Sequence, residues 1–467
     1  MIDTKKAKTR FLSLAFRGAL VDYPNKDKTN EALDAIHETQ KNFIPVSDDE
    51  HLIEAPSYWN WSRLGYLTKN HGQTVPTTDF CYIDVGTLDN VHHSLAAKEN
   101  HVSAKDAPSR ARKKVQMGDV LYSTVRPYLH NICIVDREFS RIPIASTAFC
   151  VMETIEPVLS NKYLFYWLLS AEFDKYSNGD SSKGALYPAI GEKDLLRGVI
   201  PIPSITEQKQ IVAKIEEAFS ILDTIDTLQA QYNDNLTVLK GKLIDAAIQG
   251  KLTEQLPEDG TAEELLRSIQ IEKQPESKRG KGKKEKHFQP ITADEILFEI
   301  PENWRWCRLA DIASTNIGLT YHPEDIVDDG TIVVRSSNIV NSKMDYADLV
   351  KVRCQIRENQ YLNTNDIVIC ARNGSKALVG KCAIYGGEPG TVSFGAFMAV
   401  LRTPFYKYVF YYLLTDAFRR YFHSDDSKQI NQVTQNILKE AVIPLPPLAE
   451  QERIVAKLDA VISLLEA

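Results

Sequence analysis

Residues 199–215 read VIPIPSITEQKQIVAKI, and residues 442–458 read VIPLPPLAEQERIVAKL. The offset is a constant 243, and across 195–222 and 438–465 it leaves 13 of 28 positions identical, against about two expected from ordinary residue usage. The copying extends upstream. NKYLFYWLLS (161–170) matches YKYVFYYLLT (406–415) with six identities in ten, and PSYWNWSRL (56–64) matches PENWRWCRL (301–309), both at offset 245. Between these anchors the offset drifts: GDVLYSTVRP (118–127) resembles NDIVICARNG (365–374), and TAF (147–149) stands opposite GAF (395–397). An internal repeat of this length decides architecture before any local reading.

The ends of the chain join the pattern. LAFRGALVDYP (14–24) resembles AAIQGKLTEQLP (246–257), with Gly18 opposite Gly250. Joined, the termini make an approximate copy of the middle segment. Five segments follow: 1–55, completing a second helical region; 56–200, a globular unit; 201–290, a central helical region with a basic loop; 291–443, a second globular unit; and 444–467, the start of the second helical region. The expected fold is mixed α/β, with two similar domains separated by two long antiparallel coiled-coil helices in a pseudo-two-fold, circular arrangement.

The connector reads as one helix. Thr206 is the expected N-cap. Apolar residues then step by threes and fours through Ile211, Ile215, Ala218, Leu222, Ile225, Tyr232, Leu236, Leu239, Leu243 and Ala246, broken by Gln229. That is a coiled-coil seam. Ile454, Leu458, Val461 and Leu465 keep its phase in the second copy, and Gly250 is a natural stop. About 45 residues give a rod of about 68 Å. Residues 274–290, with six Lys/Arg, one His and two Glu, read as a solvated basic loop.

The 467 residues carry a net charge of −7. Segments 56–200 and 301–443 are each +1, so the acidity lies in the connectors, −9 in sum, and does not argue against a polyanion partner. No run approaches 18 apolar residues, and the first residues lack a secretory pattern, so a cytoplasmic protein without a membrane span is expected. Seven cysteines without a C-x-x-C pair read as reduced and structural. No phosphate-loop, dinucleotide, zinc-helix or nucleophile-elbow motif occurs, and His92-His93 reads as a surface pair, so neither catalytic nor metal-ligating residues are expected.

Within each globular unit, short strands at 80–88, 119–125 and 131–136, or in TIVVRS, DIVICA and KCAIYG, precede an aromatic helix at 161–175 or 406–421. The tyrosines and Trp167 of those helices read as core. Polar clusters fall where strands end: Arg126, Tyr128 and His130, then Lys183 and Tyr187, in the first unit; Arg335, Ser337 and Asn338, then Arg372, Asn373, Ser375 and Lys376, then Lys428, Gln429 and Asn431, in the second. Arg and Lys suit guanine edges and phosphates, Asn and Gln suit adenine, and Ser suits either. Any one cluster is an ordinary solvated loop. Their recurrence at matching places with different residues is what two domains reading different half-sites would show. The open alternative is a duplicated coiled-coil scaffold that binds proteins.

Two variable domains separated by repeated P-[IL]-P-x-x-x-E-Q-x-x-I-V-A-K helices, with W-x-W-x-R-L upstream, resemble the specificity subunit of type I restriction–modification systems. The resemblance covers nearly the whole chain. It implies two target-recognition domains that read a bipartite, asymmetric site in double-stranded DNA. It also implies that the paired helices act as a spacer and dock two modification subunits, with Glu207, Gln208, Ile211, Ile215, Leu222, Leu236, Glu450, Gln451, Ile454 and Leu458 on that surface. S-adenosylmethionine, ATP and Mg2+ are implied on the modification and restriction/translocase partners, and no cofactor on this chain. In that family the second conserved helix usually runs past the point where this sequence stops, at Ala467.

Overall fold

The computed structural model describes residues 1–22, 30–40, 42–179, 188–277, 289–422 and 432–466. Two compact units divide the chain, Met1–Gln231 and Tyr232–Ala467. Each builds the same mixed α/β frame.

In the first unit, strand Asn60–Arg63 pairs antiparallel with Val199–Ile202, so the WNWSR stretch closes against the VIPI stretch that precedes the long helix. In the second, Arg305–Arg308 pairs with Val442–Leu445 in the same register, Trp61 facing Pro201 and Trp306 facing Pro444. Beside a small pair of Leu88–Asp89 with Ser94–Leu95, two four-stranded sheets make up most of the first unit. One runs Thr68–Lys69, Phe149–Thr154, Val120–Ser123, Ile132–Ile134; the other runs His101–Val102, Phe80–Ile83, Pro143–Ser146, Ala111–Lys114. The second unit repeats them as Ser314–Ile317, Met398–Arg402, Ile367–Cys370, Cys382–Ile384 and as Val350–Val352, Ile326–Val334, Val392–Phe394. In each second sheet one pair is parallel, Phe80–Ile83 with Pro143–Ser146 and Ile326–Val334 with Val392–Phe394. Phe80–Ile83, Val120–Ser123 and Ile367–Cys370 are buried at every position and read as near-continuous apolar runs, as strands covered on both sides do.

The aromatic helices are core, as their composition suggests. Tyr163 Oη donates to Pro201 O at 3.0 Å and Trp167 Nε1 to Val199 O at 3.0 Å. In the second unit Tyr408 Oη donates to Pro444 O at 2.8 Å and Tyr412 Oη to Val442 O at 2.7 Å. The Pro201 and Pro444 carbonyls thus take a phenol in both copies, while Val199 takes an indole where Val442 takes a phenol. The expected single helices at 161–175 and 406–421 are each two, Asn161–Leu168 with Ala171–Ser177 and Tyr406–Leu413 with Asp416–Arg419. Ser170 Oγ and Thr415 Oγ1 bond back to the carbonyls of Trp167 and Tyr412, and Ser170 then accepts from Phe173 N, which ends one helix and caps the next.

The long helix spans Ile205–Ile248, about 66 Å at 1.5 Å per residue. Its cap is Ser204, whose Oγ accepts from Glu207 N at 3.2 Å, and not Thr206, which already lies inside the first turn. In the first unit helix Thr4–Phe16 lies antiparallel along it. Ile2 N donates to Gln229 Oε1 at 2.6 Å, Thr4 Oγ1 to Asp226 at 2.6 Å and Lys8 Nζ to Asp223 at 2.5 Å, so one index rises as the other falls. In the second unit helix Leu448–Glu466 does the same, Lys457 Nζ on Leu252 O at 2.9 Å and Lys240 Nζ on Glu466 at 3.1 Å.

The seam is dry only toward the helix ends. Ile211 and Ile215 are buried with Leu12, Ala15 and Phe16, and Ile244, Ala247 and Ile248 with Ile454 and Leu458. Leu222 and Leu236 are half-buried, while Tyr232 and Leu239, expected in the seam, are exposed. The partner helices begin beside Asp226 and finish beside Lys240, and among the described residues neither reaches the stretch between. Gln229 answers the first residues of the chain and sets no register with a facing side chain.

The correspondence of Gly18 with Gly250 holds in detail. Both have φ +72°, and a Cβ on either would lie 2.4 or 2.5 Å from the ring of Pro56 or Pro301. Only glycine closes these helices, for conformation and for space. The seven cysteines are free thiols, six of them buried. No helix among the described residues is long and apolar enough to cross a membrane.

Candidate nucleic-acid interface

The repeated Glu-Gln pair faces inward. Trp59 Nε1 and Tyr58 Oη both donate to Glu207 Oε1 at 3.1 Å. Trp304 Nε1 donates to Glu450 Oε2 at 2.8 Å, and Thr253 Oγ1 and Gln255 Nε2 donate to its other oxygen at 3.1 and 2.9 Å. Burial pushes the Glu207 carboxyl above the ordinary carboxylate range, with the Tyr58 and Trp59 bonds opposing it. Gln208 Nε2 holds Val158 O and Pro203 O, and Gln451 Nε2 holds Pro446 O. Glu207, Gln208, Ile211, Ile215, Glu450, Gln451, Ile454 and Leu458 are all buried within their own unit. The docking assignment for these eight is therefore corrected. They fasten the helix root to its domain, and of the expected docking residues only Leu222 and Leu236 retain partial exposure.

The repeated tryptophan stretch holds a second latch. Arg63 reaches Glu50 at 2.8 Å, and Arg308 reaches Glu295 at 2.9 Å. Glu50 is lowered to about 2 by the Ser47 N–H and then Arg63; Glu295 is lowered to about 2 by Arg308 and then the Thr292 N–H. GDV (118–120) and NDI (365–367), which open the matching stretches GDVLYSTVRP and NDIVICARNG, are turns. Gly118 and Asn365 take positive φ, and Asp119 and Asp366 accept from the N–H three residues back at 2.7 and 2.8 Å.

Loops at the strand ends gather the polar candidates. In the second unit a cavity of about 1010 Å³ is lined by Leu319–Tyr321, Arg335–Ser337, Arg372–Gly374 and Gly395–Met398. Two expected clusters, far apart in sequence, share this wall. Asn373 Nδ2 donates to Ser336 Oγ at 3.0 Å and joins them. Arg335 is engaged by Asp348 at 2.8 Å, while its Nε is buried with no hydrogen-bond partner. The Arg372 guanidinium lies over the Phe397 ring at 5.9 Å. Ser337, Arg372, Ser375 and Lys376 are exposed.

Two residues expected to read bases do not face outward. Asn338 is 1% exposed, accepts from Arg335 N and donates to Asp345 O and Asp348 O, so it is a turn-forming residue. Asn373 spends its amide on Ser336 and its carbonyl on Ser375 N at 3.0 Å, which makes it a strut between loops. In the first unit Arg126 and His130 both take left-handed φ, near +50°, and bracket the turn Pro127–Leu129. Arg126 and Tyr128 are exposed, and His130 Nε2 bonds Asp174 at 2.6 Å. His92 is exposed beside Asp89, and among the described residues no group of His, Cys, Asp and Glu could hold a metal ion. Lys183, Tyr187, Lys428, Gln429 and Asn431 lie outside the described residues.

Strand register corrects one alignment. Val120–Ser123 faces Phe149–Met152, while Ile367–Cys370 faces Met398–Leu401. Thr124 N bonds Ala148 O, and Ala371 N bonds Phe397 O. TAF therefore does not stand opposite GAF; the second copy is displaced by one residue. A one-residue shift turns every side chain to the other face. Phe149 is buried, and the true counterpart of Phe397, which is 63% exposed, is Ala148, 8% exposed. Phe397 was missed for that reason, since an apolar residue in a strand-like run reads as core.

The family model described as the type I restriction modification DNA specificity domain matches residues 301–467. The EcoAI specificity subunit of Escherichia coli is 24% identical to this chain over 98% of its length and 89% of that protein. The chain belongs to the specificity subunits of type I restriction–modification systems. The EcoEI subunit of E. coli is 26% identical over 66% of this chain and 61% of its own length, and the EcoKI subunit of strain K12 is 33% identical over 36% and 38%. Among solved structures, a chain from a study of type I restriction–modification assembly and conformational transition aligns with TM-score 0.62. The HsdS subunit of Thermoanaerobacter tengcongensis aligns with TM-score 0.51, at 23% identity, over 89% of this chain and 92% of that one. These likenesses show the fold. In this specificity subunit the two units place loop groups at the same strand ends, and those groups differ.

Proposed function

We propose that this specificity subunit reads a bipartite, asymmetric site in double-stranded DNA, one half by each unit, and carries no catalysis itself. The observation behind this reading is the contrast just described. The frame repeats down to individual hydrogen bonds, while the exposed groups at its strand ends do not. Protein frames diverge more slowly than the loops that bind, so a repeated frame with unlike loops fits two readers of unlike sequences. The long helix is the spacer in this reading, its half-buried middle face meets two modification subunits, and restriction/translocase subunits join through them. S-adenosylmethionine, ATP and Mg2+ belong to those partners.

Co-expression with the modification subunit and mapping of methylated adenines tests the reading. Exchanging 56–200 for the matching segment of a relative should change one half of the methylated site. A map changed in both halves, or in neither, refutes it. Residues inserted into 225–245 should change the separation of the half-sites and leave their sequences alone; altered half-sites would refute the spacer.

A further inference from the structure

Phe397 is a large aromatic on the loop between Val392–Phe394 and Met398–Arg402, 63% exposed and lining the cavity of the second unit. Its counterpart in the first unit is a small, covered Ala148. An exposed Phe gains nothing for folding, since its apolar area stays in water. Beside it stands Arg372, exposed, with its guanidinium over the ring at 5.9 Å. Arg372 N donates to Phe397 O at 3.0 Å, and the bridge of Arg372 with Gln432 holds the strand on its other side. The backbone of both residues is thus tied while both side chains project. None of the described lining residues is acidic.

Resting on the reading of this unit as a DNA-binding domain, we infer that Arg372 and Phe397 form one specificity-determining pair, Arg372 on a guanine edge and Phe397 on the methyl group of a neighbouring thymine. The chemistry follows from the groups. A guanidinium matches guanine O6 and N7 in the major groove, and an apolar side chain is the fitting contact for the thymine methyl. A ring under a guanidinium also restrains it and raises its preference for one orientation. The spacing agrees: 5.9 Å falls between one and two base steps at about 3.4 Å each. Arg335 sits deeper, held by Asp348, and supports the wall without being the reading group. The first unit has Val125 and Ala148 at the two matching positions, so it has no such pair.

The test uses the full chain assembled with its modification subunit. The half-site left unaltered by exchange of 56–200 belongs to the second unit. It should contain a guanine with a thymine one or two steps away, and its absence overturns the pairing. Arg372→Ala should relax discrimination at that guanine by about tenfold or more. Phe397→Ala should lose about three- to tenfold at the thymine, and Phe397→Leu should keep most of it. Replacing that thymine by uracil in the duplex removes only the methyl group. It should weaken the unaltered protein as much as Phe397→Ala does, and leave Phe397→Ala indifferent. Equal loosening of both half-sites, or an equal uracil effect on the variant and its parent, overturns the inference. So does loss of the modification subunit from Phe397→Ala with discrimination intact, which would make Phe397 a protein contact. If exchange of 56–200 changes one half-site and these variants change nothing, the pairing alone fails. If the exchange leaves the map unchanged, the DNA-reading assignment fails first.

Discussion

At the end of strand Val120–Ser123 the first unit continues Thr124-Val125-Arg126, and at the end of Ile367–Cys370 the second continues Ala371-Arg372-Asn373. The chain path is the same, because Val125 bridges to Ala189 and Arg372 to Gln432. The arginine has moved by one position, and a shift of one exchanges the sides of a strand. Asp84 in the first unit takes the place of Arg335 in the second, each opening a short turn with an N–H to C=O bond three residues on. What the two units share is therefore backbone and buried hydrogen bonds. What they do not share is charge and bulk at the strand ends. The lesson is that the frame tolerates reversal of charge at its rim, since rim groups are solvated and contribute little to stability.

The latches give the sharpest ways to test how far the likeness goes. Trp59→Ala and Trp304→Ala each remove a buried indole from the junction of helix and strand. Each should cost about 3–5 kcal/mol, read as faster amide hydrogen exchange confined to its own unit. Opening of both units by either variant would break the picture of two separately locked frames. A smaller and more discriminating change is Trp to Phe. Trp59→Phe leaves Glu207 Oε1 with the Tyr58 hydroxyl, whereas Trp304→Phe takes the indole donor from Glu450 Oε2 and leaves Thr253 and Gln255 on the other oxygen. Losing a donor to a buried acceptor costs about 1–3 kcal/mol, so denaturant midpoints should fall further for Trp304→Phe. The reverse order would show that packing, not hydrogen bonding, separates the two latches.

The weakest effect concerns pH. Glu50 and Glu295, both lowered to about 2, add stability that is full above the ordinary carboxylate range and is lost as pH falls toward 2. Glu207 has the opposite sign. Its carboxyl is raised by burial, so its contribution is full below the ordinary range and is lost as pH rises through its folded value. Glu207→Gln should therefore flatten the decline of the first unit as pH rises above the ordinary carboxylate range, leaving the acid limb intact. A thermal unfolding series from pH 4 to 8 checks it, and an unchanged slope would remove Glu207 as the cause.

Much of this was readable in the residues. The repeat, the long helix and the pairing of the chain ends with it rest on motifs whose side chains are buried, and burial restricts substitution enough to leave a visible copy. The glutamates of the Glu50–Arg63 and Glu295–Arg308 latches lie in DDEHLIEAP (48–56) and ADEILFEIP (293–301), which correspond at offset 245 and carry the signal upstream of Pro56. The direction in which Glu-Gln faces was not readable, because an acid and an amide at a helix start look solvated until the indole that claims them is placed. Nor was the rim readable. Offsets of 247 before one connection and 249 after it arise in loops of unlike length, and a single residue of error hid Phe397. Asn338 and Asn373 show the same limit: residue type suggests a base reader, but neighbours consume the amide.

The glycine joints where a helix meets each domain have a consequence for inheritance. Gly18 against Pro56 and Gly250 against Pro301 are interchangeable fittings, as are the strands that carry Trp59 and Trp304. A crossover between the two coding copies, in frame and about one repeat apart, would remove or add a whole unit and still regenerate an intact joint. The protein is thus segmented where its gene can be cut and rejoined without exposing a core.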